Sequence, residues 1–307
     1  MFRSFLISEF PGAEIRELSG SNNLVYLVRS AKETIIAKHV TDTDIPLSYL
    51  AEANARLAEL IPVQKILQVY EKDRGDPFDA VFAEYVEGHD LAAALAGDAV
   101  APPADDLVSH LCRFVLACRS LPRMHDGFGM YKRGAPTKET HREFVEYYGN
   151  RYWSRARPFY DGTRIATAVD EWLASGFASA ASRCPAPFSV VPIDANLKNF
   201  VVAPDGRIVV LNVPIAAVST PAHAVAAISA HLRNRKVRHQ FLDAAAEGIC
   251  TEDLEMVPHF ELWQLLGILS FYAVREPDRQ REWQNWGSPV PLDEDFRSLV
   301  ETRVISG

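Results

Sequence analysis

Cysteine is scarce. Cys112, Cys118, Cys184 and Cys250 are the only four in 307 residues, and no two form a Cys-x-x-Cys pair. That spacing argues against a zinc site or a disulfide framework, so the thiols read as reduced and mostly buried, as in a cytoplasmic protein. No apolar run is long enough to cross a bilayer, and Met1 to Phe10 is broken by Arg3 and Glu9, unlike a signal peptide. A membrane is therefore not expected as a partner. Basic charge is short as well: 32 Lys and Arg stand against 40 Asp and Glu, a balance of −8. A general nucleic-acid binder needs a basic field, so nucleic acid is not expected either. The same balance suits a cationic small molecule slightly better than an anionic one. Walker A, Rossmann glycine, zinc-spacing and Gly-x-Ser-x-Gly patterns are all missing, as are repeats and low-complexity stretches.

The hydrophobic share of 48% is ordinary for a globular chain, and the length allows one large domain or two packed lobes. The first ninety residues are strand-rich. Strands are expected over Glu14–Leu18, Leu24–Val28, Thr34–Val40 and Phe78–Val86, with a helix over Pro46–Leu60. Beyond the short helix Leu91–Ala96 and the Pro-Pro link before Ala104, the pattern turns helical. Asp106–Leu121, Thr137–Tyr152, Ala166–Ala181 and Val257–Val274 carry that period, and only Ser189–Val213 interrupts it with strand-like runs. Residues 1–90 and 91–307 thus read as two lobes, a small antiparallel one with a single helix and a larger, mainly helical one.

Chemistry concentrates in Pro192-Ile193-Asp194-Ala195-Asn196-Leu197-Lys198-Asn199, which runs into a β-hairpin turned at Pro204-Asp205-Gly206. In phosphoryl transfer an aspartate orients the attacking hydroxyl and an amide holds a metal on the phosphates. Asp194 and Asn199 have that spacing, and Asn212 stands at the far end of the hairpin, where a second metal ligand belongs. In the small lobe, Lys38 is a lone charge on an apolar strand, costly unless paired or in contact with a ligand. Glu52 on the following helix is a suitable partner; the alternative is that Lys38 faces solvent. The polar turn Ser19–Asn23, with Ser21 and Asn22, could close over phosphates or be an ordinary hairpin turn. Glu84-Tyr85-Val86-Glu87-Gly88 ends the last strand of the lobe, where backbone groups of Glu84 and Val86 would meet a nucleobase.

In this order of features the chain resembles the aminoglycoside phosphotransferase and choline kinase group of protein-kinase-like folds, over about Glu14 to Ala226. The resemblance implies a bilobal α+β fold, ATP and Mg²⁺ as cofactors, and a small-molecule hydroxyl as acceptor. It implies Asp194 as base, Asn199 and Asn212 as metal ligands, and Lys38, Glu52, Ser21, Asn22, Glu84 and Val86 at the nucleotide. Three positions depart from the family pattern. Pro192-Ile193 replace His-Gly, Asn212 replaces a metal-binding aspartate, and Pro221-Ala222-His223-Ala224 replaces Pro-x-x-Asp. An amide offers a metal no charge, so two functions stay open: a phosphotransferase with altered metal use, or an inactive pseudokinase with a protein partner. The stretch from His125 to Tyr160, holding Lys132, Arg133, Tyr147, Tyr148, Arg151 and Tyr152, reads either as a wall of the substrate cleft or as a helix packing its aromatics inward.

Overall fold

The computed structural model describes residues 1–18, 24–40, 45–177, 181, 187–211, 215–232, 234–249, 251–273 and 292–305. Five antiparallel strands form the first layer: β1 (Glu14–Leu18), β2 (Val25–Arg29), β3 (Thr34–His39), β4 (Ile66–Tyr70) and β5 (Ala80–Glu84), in the order β1-β2-β3-β5-β4. Alternation along the strands sends Tyr26, Val28, Ile35, Ala37, Ala80 and Phe82 to one face, where they bury against Phe2 and Leu6. Those two side chains belong to helix α1 (Phe2–Glu9), which has no capping side chain and no acidic first turn. So short a helix is held by what it buries and not by propensity, which is why Met1–Phe10 gives no clear helical signal in the sequence. The other face carries Val81, which packs with Val40 and with Leu47 at the start of helix α2 (Leu47–Ala58).

After β6 (His89–Asp90) and α3 (Leu91–Ala96) come α4 (Ala104–Cys118), α5 (His141–Ala156) and α6 (Arg164–Glu171). Strands β7 (Ser189–Pro192), β8 (Phe200–Val202), β9 (Ile208–Val210) and β10 (Ala216–Ser219) interrupt them, followed by α7 (Pro221–Ser229), α8 (Arg235–Ala246), α9 (Thr251–Ala273) and α10 (Leu292–Val300). The antiparallel sheet layer with one following helix, and the helical remainder holding an internal hairpin, agree with the expected α+β outline. Helix boundaries shift for local reasons. The start of α5 is fixed by a capping box between Thr140 and Glu143, not by Thr137. Helix α9 runs through Pro258 and begins at Thr251, with Glu252 and Asp253 in its first turn.

The main core gathers α4, α5, α7 and α9 around Trp263, which is fully buried and donates from Nε1 to the Val145 carbonyl at 3.1 Å. Tyr49, Ala53 and Leu57 of α2 belong to this same cluster. Helix α2 therefore joins the sheet on one side and the helical core on the other. A further stitch ties the segment before β4 to the hairpin: Gln64 N–H donates to Val210 O at 2.8 Å and Val210 N–H to Pro62 O at 3.1 Å.

Candidate active site

Strands β7 and β10 pair antiparallel, with Pro192 opposite Ala216. Just beyond the pair, the Ile215 carbonyl accepts from both Ile193 N–H (2.7 Å) and Asp194 N–H (3.1 Å). Asn196 then accepts from Lys198 N–H on its side chain (3.0 Å) and from Asn199 N–H on its carbonyl (2.9 Å), which turns the chain into β8. These bonds bring Asp194 and Asn199 onto one loop without the His-Gly pair of the family pattern. The buried Pro192 and Ile193 instead seat the loop on the core.

The Asp194 side chain is open to solvent, yet surrounding protein desolvates it and raises its pKa above the ordinary aspartate value. The Asn196 backbone N–H and the charge of Lys132 act in the opposite direction, favouring the ionised form. Tyr152 of α5 is half-buried nearby. Its pKa is raised, chiefly by burial, with the Asp194 charge contributing. Its ring occupies a slot at Gly267, where an added Cβ would come 3.2 Å from the ring carbon Cε2. In the His125–Tyr160 stretch Tyr148 and Trp153 are buried in the core and Tyr152 packs against it, while Lys132 and Tyr152 are within electrostatic range of Asp194.

Lys38 lies on β3 between Val25 and Val81, its cross-strand partners. Cross-strand partners share a face, so Lys38 stands on the side of the sheet that carries α2, not α1. Glu52 is exposed on α2, the helix on that same side of the sheet. At the end of β5, Glu84 O already accepts from Gln64 Nε2 at 2.7 Å, and Asn54 of α2 holds Gln64 O at 3.0 Å. A base docking there would share that carbonyl. By contrast, Val86 N–H and C=O make no hydrogen bond among the described residues, which leaves them free for a ligand. A notch of about 400 Å³ beside this crossing is lined by Val63, Glu84, Tyr85, Val86, Pro204 and Arg207, without Lys38, Asp194 or Asn199. Ser21, Asn22 and Asn212 lie outside the described residues.

The family carboxylate of Pro-x-x-Asp is replaced by the buried Ala224, and a polar chain that sequence reasoning missed runs beside it. Ala181 O can only accept, so His141 Nδ1 donates to it (3.4 Å) and His141 Nε2 accepts from Ser219 Oγ (2.8 Å). Ser219 Oγ in turn accepts from His223 Nδ1 (2.9 Å), and His223 Nε2 accepts from Gln264 Nε2 (3.0 Å). Both rings are thereby neutral Nδ1–H tautomers. Burial agrees, holding His141 down to about 4 and His223 well below the usual histidine range. A neutral chain joining α5, β10, α7 and α9 stands beside the position of the missing bracing charge.

Among the described residues no group of three or more His, Cys, Asp or Glu could hold a metal. The loop offers the Asp194 carboxylate and the Asn199 amide, whose side chain makes no hydrogen bond among the described residues. Mg²⁺ needs only one or two protein ligands when phosphates fill the rest of its shell. The donor set therefore fits an ion that arrives on a nucleotide, not one held by protein alone.

With this geometry in place, solved structures supply the comparison. The crystal structure of aminoglycoside phosphotransferase APH(4)-Ia matches 98% of this chain and 98% of its own, at a TM-score of 0.70 and 14% identity. A thermostable mutant of that enzyme, in ternary complex with AMP-PNP and hygromycin B, matches 97% of each chain at 0.68 and 16% identity. This chain has the protein-kinase-like fold. Choline kinase LicA from Streptococcus pneumoniae has it as well, matching 100% of this chain and 98% of its own at 0.60 and 13% identity. No protein-family model and no curated protein sequence matches the chain.

Proposed function

We propose that the protein is an ATP-dependent phosphotransferase acting on a hydroxyl of a small molecule. The observation that carries this reading is Asp194 itself, a carboxylate accessible to ligand but held among protein, on a loop tied twice to Ile215. A general base at the reacting hydroxyl contributes about 10²–10⁴-fold when so placed. In the reaction, the acceptor oxygen forms its bond to the γ-phosphorus as the bond to the ADP oxygen breaks. The electron pair leaves with ADP, and the hydroxyl proton passes to Asp194. Lys38 would contact the α- and β-phosphates with Glu52 nearby, while Ser21 and Asn22 would cover them and the backbones of Glu84 and Val86 would meet the base. Asn199 and Asn212 would offer amide oxygens to a Mg²⁺ that enters on the nucleotide, and that ion would neutralise phosphate charge. Residues 1–90 would form the nucleotide lobe and residues 91–307 the substrate side, in the cytoplasm. Hygromycin B in the complex of one structural neighbour, and the choline named for another, point to hydroxyl-bearing small molecules, cationic ones among them.

A second reading, an inactive pseudokinase that binds nucleotide or a protein partner, is favoured by Asn212. Both readings need a nucleotide test first. ATP at a hundredfold over its Kd should stabilise the fold by about 2.7 kcal/mol. A Mg²⁺-dependent rise of several degrees in melting temperature supports a working phosphate site. No rise at millimolar ATP, with or without Mg²⁺, would remove the nucleotide from either reading.

A further inference from the structure

One cation beside Asp194 has no counterpart in the family pattern. Lys132 sits at the tip of a loop tied at its base by Phe128 N–H to Lys138 O (2.8 Å) and Lys138 N–H to Phe128 O (2.6 Å). The loop lies along β10 through a Met130–Ala217 bridge and the 2.7 Å bond from Tyr131 N–H to Ala216 O. The preceding carbonyl, Ile215 O, points to the opposite edge and accepts Asp194 N–H. Lys132 and Asp194 therefore flank the same strand end, one on each edge. Two strand spacings, about 9.6 Å, separate their backbones, a distance that a lysine side chain and a bound phosphoryl group together can bridge.

The residues on either side of Lys132 are anchored to the first part of the chain. The Tyr131 ring meets Tyr49 of α2 edge-on at 5.0 Å, and Arg133 Nη1 pairs with Asp79 Oδ2, just before β5, at 3.2 Å. Lys132 between them is half-buried and makes no ion pair or side-chain hydrogen bond among the described residues. Its charge is felt at the Asp194 carboxyl. A half-buried ammonium with no protein partner among the described residues, fixed between two anchors near a carboxylate, is placed for an anionic ligand.

We propose that Lys132 is a catalytic residue that contacts the transferring phosphoryl group. It would supply positive charge at a centre where the amide of Asn212 would offer a metal ion none. The inference rests on the phosphotransferase reading above. In the same step, as the acceptor oxygen bonds to phosphorus and ADP leaves, negative charge on the phosphoryl oxygens is met by the ammonium, and the proton goes to Asp194.

The test compares Lys132→Met and Lys132→Arg with wild type, using ATP and Mg²⁺ across a panel of hydroxyl-bearing small molecules, and measures ADP formation and ATP affinity separately. The expected result is a fall in kcat of about 100-fold for Lys132→Met with ATP Kd within about threefold, and partial recovery in Lys132→Arg. The acid limb of the rate should also move to higher pH in Lys132→Met, because the cation that favours ionised Asp194 is gone. If Lys132→Met does not fold, Lys132→Gln carries the same comparison. An unchanged kcat and unmoved acid limb in a folded variant overturn the role of Lys132 alone. A wild-type protein that consumes no ATP overturns the phosphotransferase reading, and this inference with it.

Discussion

Asp194→Asn is expected to lower ATP turnover by about 10²–10⁴-fold while leaving ATP affinity within a few-fold. The amide keeps the shape of the side chain and leaves the two backbone bonds to Ile215 in place. What it removes is the proton acceptor. Wild-type rate should fall as pH drops through the raised Asp194 pKa, since only the ionised form can take the hydroxyl proton. The acid limb is therefore expected above the ordinary aspartate range, and it should vanish in Asp194→Asn. Single-turnover ADP formation across pH, beside nucleotide binding, checks both statements. A variant with wild-type kcat would remove Asp194 from the chemistry.

Gly88→Ala is expected to cost about 3 kcal/mol or more, a melting-temperature drop of about 6 °C or greater. Gly88 has φ +145°, and a Cβ there would sit 2.2 Å from Val202 O, 2.7 Å from Val201 Cγ1 and 2.9 Å from the Val202 carbonyl carbon. Two of those atoms are backbone of a paired strand, so they cannot turn aside as a flexible side chain would. Relief requires the Glu84–His89 crossing to lift from β8, which breaks the pairing of His89 with Val202. Because Val86 lies two residues away, nucleotide affinity should fall along with stability. Thermal unfolding with and without ATP reads both effects. A melting point within a degree of wild type would show that the crossing is looser than the structure has it.

The small sheet was legible because Val25–Val28 and Thr34–Ala37 are runs of β-forming residues bounded by polar turns; in the structure every second residue of them is buried against α1. That Asp194 and Asn199 share one loop before a hairpin was legible for a different reason, since their spacing is local. Strand β4 was missed because Ile66–Tyr70 alternates only weakly, with Leu67 and Gln68 both exposed, and its pairing with β5 is irregular between Ile66 and Gln68. Strand β10, of Ala, Ala, Val and Ser, is buried throughout and carries no alternation to read. The His141–Ser219–His223–Gln264 chain was out of reach for a stronger reason. Its partners lie up to 78 residues apart in sequence, and a single histidine on an apolar helix carries no mark of what it will meet. Lys132 was visible only as one base among several aromatics; its place beside Asp194 depends on the edge of a strand that the sequence did not announce.

The measurement that bears most directly on the central claim is ADP formation from ATP and Mg²⁺ by wild type and by Asn212→Asp, across a panel of hydroxyl-bearing small molecules. The account predicts slow, acceptor-dependent ADP formation by wild type and a faster rate in Asn212→Asp, where a charged metal ligand is restored. ATP binding with no ADP formed by either protein, for any acceptor, would contradict it and leave a pseudokinase.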